Sequence, residues 1–424
     1  MPKLCCVSLA VLLPVISVIG QSVPMATNTL SAAASAINSI GTDLLHETSH
    51  ADANALLSPY SIETALAMTY AGADGFTREE MARVLHLRGD AAQIAREFAA
   101  LQAAIDGVVQ RSLAASVSMK QYGVTNDPMT LATANRLFGQ QGYDFRPPFL
   151  DLLKTEFHAP FQAMDFRKNS AAATKTINDW VEEQTRQRIR NLIPAGALND
   201  RTRLVLVNAI YLKAPWAEPF PGRATKPLPF HAGDGAAVNV PTMTIRESLG
   251  YQKFDGFTAL TIPYKGGEIQ FLILLPDATN GLAALESKAP QLAACANLPS
   301  REVNLFLPKF KIEPPTLALG DALQKLGMTS AFDKPRGSAN FDRMAPRRPN
   351  DYLCISDVFH KTFMSVDEKG TEAAAATAVA MVAASAMQRP SAPVEVHVDH
   401  PFIFAIQHRA SGACLFLGHL ANPK

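Results

Sequence analysis

The chain has 424 residues, 48% hydrophobic and 18% charged, with a net charge of +1. That composition supports a large buried core and excludes a disordered chain. The near-zero net charge speaks against a nucleic-acid partner, and no basic-aromatic surface pattern is present.

Residues 1–20 read as a secretory signal peptide. Lys3 gives the positive end, Leu9 to Ile19 is apolar apart from Ser17, and Val18 and Gly20 offer a small-residue cleavage site before Gln21. The apolar run is too short to span a bilayer. The expected location is therefore secreted, extracellular or periplasmic, with no membrane contact after cleavage; an uncleaved anchor is the alternative. Cleavage leaves Cys295, Cys354 and Cys414, with neither a disulfide framework nor zinc spacing, so buried unpaired thiols are expected. Residues 21–39 are Ala/Ser-rich, beginning as a tail and becoming the first helix. His46-Glu-Thr-Ser-His50 matches the zinc metalloprotease pattern, with His46 and His50 as ligands and Glu47 as base, if a helix carries all three on one face. Asp52 and Asn54 suggest that the helix stops too early, and no third ligand is evident.

Ser58-Pro59 opens a helix that Gly72 ends. Thr77 and Glu80 have capping-box spacing and open another, and Ala91–Gln110 is a third. Arg111–Thr130 is polar and ambiguous. Ala132–Phe138 reads as a strand, and Pro148–Phe157 and Ala171–Asn191 as helices, the latter carrying Arg186, Arg188 and Arg190 on a solvated face. Leu204–Leu212 is an apolar run broken only by Asn208, which suits a central strand. Leu260–Tyr264 and Ile269–Leu275 flank Gly266-Gly267, a hairpin signal. Val303–Ile312 reads as one strand, Leu317–Leu326 as a helix stopped by Gly327, and Tyr352–Val366 as a long strand. Val394–Val398, Phe402–Gln407 and Cys414–Leu420 close the chain as strands. Helices come first and strands later without a βαβ rhythm, which gives an α+β, mostly antiparallel fold in a single domain over residues 40–424.

The stretch Val366–Ser385 carries no charge after Glu372. As a strand, one face is Thr371, Ala373, Ala375, Thr377, Val379, Met381 and Ala383, none with a charge or a bulky polar group. That face can enter a sheet at little desolvation cost. Glu372 falls on the other face, where water could keep it. The same composition also fits a flexible linker.

Glu368, Lys369, Gly370, Thr371, Glu372, Ala373, Ala374, Ala375 and Ala376 match, position by position, the hinge of inhibitory members of the serpin (serine protease inhibitor) family. Asn54 to Ile62, Asn135 to Phe138, Asn208 to Lys213 with Trp216 and Phe220, Leu307 to Phe310, and His400 to Phe404 resemble further segments of that family in order and spacing. The resemblance implies the serpin fold: helices plus three mostly antiparallel sheets, with an exposed reactive loop over about residues 367–394 that inserts into the large sheet. It implies that Ser58, Ser61, Asn208 and His360 form a polar cluster where strands part, and that Trp216 and Glu368 mark the point of first entry. The implied function is suicide inhibition of a serine protease, as a monomer without catalytic residues, cofactor or metal of its own. Counting from Gly370 places the scissile bond at Ala384–Ser385, suited to elastase-like or subtilisin-like enzymes. The loop after Ser385 is longer than the pattern, which leaves Met381, Met387 and Arg389 as alternatives. A non-inhibitory carrier or chaperone of the same fold is the second reading. The chain shows no nucleophile elbow or phosphate-binding glycine loop.

Overall fold

The computed structural model describes residues 25–123, 127–287, 292–349, 351–372 and 392–424. The chain runs α1 (Met25–Thr48), β1 (Ala55–Leu57), α2 (Pro59–Gly72), α3 (Gly75–Val84), α4 (Ala91–Lys120), β2 (Thr130–Gln140), α5 (Pro147–Glu156), β3 (Phe161–Met164), α6 (Phe166–Gln184) and β4 (Leu204–Pro215). Strands then dominate: β5 (Lys226–His231), β6 (Ala237–Phe254), β7 (Phe257–Pro263), β8 (Ile269–Pro276), α7 (Leu282–Ser287), β9 (Ser300–Pro308), β10 (Phe310–Ile312), β11 (Leu317–Ala318) and α8 (Gly320–Lys325). The chain ends with β12 (Phe359–His360), β13 (Met364–Asp367), β14 (Gly370–Thr371), β15 (Val394–His397), β16 (Phe402–His408) and β17 (Cys414–Leu420).

Three sheets result. A nine-stranded sheet follows the order β1-β17-β16-β8-β7-β6-β9-β15, with β5 on β6; a six-stranded sheet follows β10-β13-β14-β4-β2-β3; β11 and β12 form a pair. All pairings are antiparallel except β15 with β9 and β2 with β3. The centre of the nine-stranded sheet is closed on both faces: every residue of β8, β16 and β17 is buried. An aromatic cluster joins it to the six-stranded sheet, with Phe271 stacked on Phe404 at 5.6 Å and Phe310 packed edge-on to Phe402 at 6.3 Å. Apolar burial of this kind is the main source of stability.

Local signals explain several elements. Ser58 caps α2, its hydroxyl accepting from the Ser61 N–H, and Pro59 occupies the first turn. Gly266 and Gly267 both take left-handed φ (91° and 72°) in the turn from β7 to β8. The polar stretch after Gln110 continues α4 as far as Lys120.

Four expectations are corrected. The capping box does not form: α3 begins at Gly75, the Thr77 hydroxyl donates to Ser338 O, and Glu80 accepts the N–H groups of Thr329 and Ser330. The run Val303–Ile312 is two strands in two sheets, because the chain turns at Lys309, whose N–H goes to Pro241 O. Leu317–Leu326 starts as β11, and its helix begins only at Gly320. Tyr352–Val366 is not one strand: its first half carries no ladder, and the Ile355 N–H goes sideways to Ala331 O.

Candidate functional site

The six-stranded sheet, rather than the larger one, receives the hinge. β13 turns at Glu368-Lys369, and β14 returns between β13 and β4, pairing Thr371 with Val366 on one side and Ala214 on the other. Glycine is required at 370, since a Cβ there would lie 2.1 Å from Ala214 O and 2.7 Å from Pro215 Cα. Thr371 is buried, and its hydroxyl meets that of Tyr264. Tyr264 stacks on Trp216 with centroids 4.6 Å apart and planes within 5°. Burial pushes the Tyr264 hydroxyl far above its ordinary pKa, so it stays protonated as a partner for Thr371.

Trp216 is the frame for this turn. Its indole N–H donates to Asp367 O at 2.9 Å, its backbone N–H to Lys369 O at 2.9 Å, and the Phe220 N–H to Glu368 O at 2.8 Å. Glu368 pairs with Lys309 at 2.8 Å and accepts from the Thr225 hydroxyl at 2.8 Å. Burial disfavours the Glu368 carboxylate, but those hydrogen bonds outweigh it and hold its pKa below the usual range.

Between β4 and Tyr352–Phe359 lies a cavity of about 330 Å³, lined by Ser61 and Leu66 of α2, Leu192 and Ile193 of the segment after α6, Val205 and Val207 of β4, and Leu353. His360 stands at its wall, and its Nε2 accepts the Ser58 N–H at 3.0 Å. Ser58 Oγ reaches Leu415 O at 2.6 Å in β17. The start of α2 therefore links β17 of the nine-stranded sheet to β12 of the small pair. Burial lowers the His360 pKa to about 3, which keeps the ring neutral and able to accept. Ser58, Ser61 and His360 thus lie together, and Trp216 stands apart at the hinge. Asn208 keeps its place in β4 opposite Asn135, with its side chain outside the described residues. The hinge alanines Ala373 to Ala376, the bond Ala384–Ser385, and Met381, Met387 and Arg389 also lie outside them.

Three further expectations are corrected. Glu372 is not left to water: its side chain is 11% exposed and forms an ion pair with Arg188. Arg188 in turn is not on a helix, since α6 ends at Gln184 and Arg186 and Gln187 take left-handed φ. No sequence signal pairs Arg188 with the hinge. Cys295 and Cys414 are buried, but Cys354 is exposed beside the cavity.

The metalloprotease geometry is absent. α1 ends at Thr48, which puts His50 beyond the helix, and Glu47 faces Lys325 at 4.0 Å. Among the described residues no group of three or more acidic, His or Cys side chains could hold a metal, and no helix is long and apolar enough to cross a membrane.

Residues 35–423 match the family model described as serpin (serine protease inhibitor). The chain is 38% identical to an uncharacterized serpin-like protein of Thermococcus kodakarensis over 92% of this chain and 85% of that one. It is 37% identical to the leukocyte elastase inhibitor of Bos taurus, covering 87% and 93% of the two chains. Among solved structures it is similar to a cleaved Serpin 42Da, with TM-score 0.76, 32% identity, and coverage of 94% of this chain and 100% of that one.

Proposed function

The chain belongs to the serpin family, a family of protease inhibitors rather than enzymes, and we propose that it is a secreted suicide inhibitor of serine proteases that traps its target by inserting its own cleaved loop. The observation that carries this reading is the short strand β14: Gly370 and Thr371 sit between β13 and β4, and a cavity flanks the start of β4.

The steps follow from acyl-enzyme chemistry. The protease serine attacks the Ala384 carbonyl, the amine of Ser385 leaves, and an ester joins the loop to the enzyme. The freed strand then continues β14 downward. Carried on in the register of Thr371 with Ala214 and Val366, Thr377 would fall opposite Asn208 on one side and His360 on the other. In the same register Met381 would reach Leu204, where β4 begins, so a chain cut at Ala384 would end just past the sheet. A cut at Arg389 would leave slack beyond it. From Val366 to Ala384 an extended strand spans roughly 60 Å, and the tethered protease would be carried about that far. Each new ladder bond contributes about 1 kcal/mol net, so the intact fold is a kinetic trap. Strand addition and loop insertion with release of strain are general behaviours of this family.

A small residue at 384 fits the small specificity pocket of elastase-like or subtilisin-like enzymes. The relative in Bos taurus bears the name leukocyte elastase inhibitor, which agrees with that choice. The test is mass spectrometry of the peptide released when such proteases are mixed with the protein. A covalent complex with a released peptide beginning at Ser385 is expected. Turnover of the protease with no trapped complex would refute the inhibitory reading.

A further inference from the structure

β14 ends at Thr371, and its end has a visible cause. Thr371 is extended in the sheet, whereas Glu372 turns out of it with a φ of 47°. The left-handed region is unfavourable for a residue with a Cβ, and glutamate has none of the local compensation that asparagine or glycine brings. Something must hold it there. The Glu372 N–H donates to Ser365 O at 2.7 Å, and its carboxylate meets the Arg188 guanidinium.

Arg188 is well placed to restrain. It lies in the segment that leaves α6 and crosses to β4, just after two left-handed residues, Arg186 (51°) and Gln187 (63°). Its guanidinium also lies 5.3 Å from the centroid of the Phe363 ring. The segment is fastened farther on: Asn178 exchanges two 2.9 Å hydrogen bonds with the backbone of Ile193, and the Lys361 ammonium donates to Arg190 O at 2.8 Å. The backbone that carries Arg188 is therefore anchored beside the sheet, while its side chain is half exposed.

We propose that Arg188 is the positioning residue of the hinge: its ion pair with Glu372 holds the chain in a left-handed exit turn and so arrests the intact loop after Thr371. This rests on the insertion reading above. For residue 373 to enter the slot, Glu372 must become extended, which swings its carboxylate away from the guanidinium. The pair is lost early in insertion and adds to the barrier, so Arg188 sets how readily the loop starts to move once it is cut.

The test uses the full chain, nicked in its loop, with insertion followed by stopped-flow tryptophan emission and by the heat resistance of the product. Arg188→Met keeps the aliphatic stem but not the charge, and is expected to insert about fivefold faster, the size expected for a partly exposed ion pair. Arg188→Lys keeps the charge and stays near the wild-type rate, which a packing role alone would not explain. Glu372→Gln matches Arg188→Met, and the double variant is no faster than either. Wild-type insertion with unchanged rates in Arg188→Met and Glu372→Gln overturns the role of Arg188 alone. If nicked wild-type protein neither changes its emission nor gains heat resistance, insertion itself fails, and this assignment fails with it.

Discussion

The two main sheets of this molecule are finished to different degrees. The nine-stranded sheet is complete: β8 reads Ile-Gln-Phe-Leu-Ile-Leu-Leu-Pro and every residue of it is buried between strands that pair along their full length. The six-stranded sheet holds β14, a strand of only two residues, and a cavity of about 330 Å³ lies at the start of its neighbour β4. On the inhibitory reading the second sheet takes up one more strand, and the difference between them is what that reading needs.

The sharpest way to break that contrast is at the entrance. Thr371→Arg puts a charge where a buried threonine meets Tyr264, and an unpaired buried charge is strongly disfavoured. The variant is expected to be cleaved as a substrate with almost no detergent-resistant complex, read on a denaturing gel. Equal complex formation would show that the entrance is not used. In the finished sheet, Leu272 is completely buried. Leu272→Ala should cost about 3 kcal/mol in unfolding by denaturant, the usual range for a buried leucine.

Between the sheets stands His360. Its pKa in the fold, about 3, lies below that of an unfolded histidine. A depressed pKa contributes stability that is present above the unfolded value near 6.5 and is lost as pH falls from there toward 3. The loss should be on the order of 2 kcal/mol between pH 6.5 and 5, and His360→Gln should flatten it; a pH series of denaturant midpoints measures both. The smallest effect belongs to the unfinished sheet. Val205 already lines the cavity, so Val205→Ala should cost less than about 1 kcal/mol in the same assay. A cost equal to that of Leu272→Ala would mean that the slot is packed as tightly as the core.

Much of this architecture is legible in the chain. Ser58-Pro59 opens α2 because N-capping is local chemistry, whereas Gly72 near its end makes room for Met344 rather than capping the helix. Gly266-Gly267 marks the β7–β8 turn because both need left-handed φ. The hinge is legible through its lack of bulk and charge, and the requirement for Gly370 appears as the close approach of Ala214. Decisions made by distant partners are not legible. The apolar run through Lys309 divides between two sheets because Pro241 takes the Lys309 N–H. Tyr352–Val358 has the pattern of a strand but no ladder partner among the described residues. Arg188 looks like one of three arginines on a helix, and only the left-handed turn after α6 brings it to Glu372.

The central claim is that the six-stranded sheet keeps room for a strand that only cleavage releases. Its most direct test is the melting midpoint of the protein before and after a single cut in the loop. A nicked form that melts tens of degrees higher, the scale set by many added ladder bonds, is the predicted result. A nicked form that melts at the same temperature as the intact chain, or below it, contradicts the account.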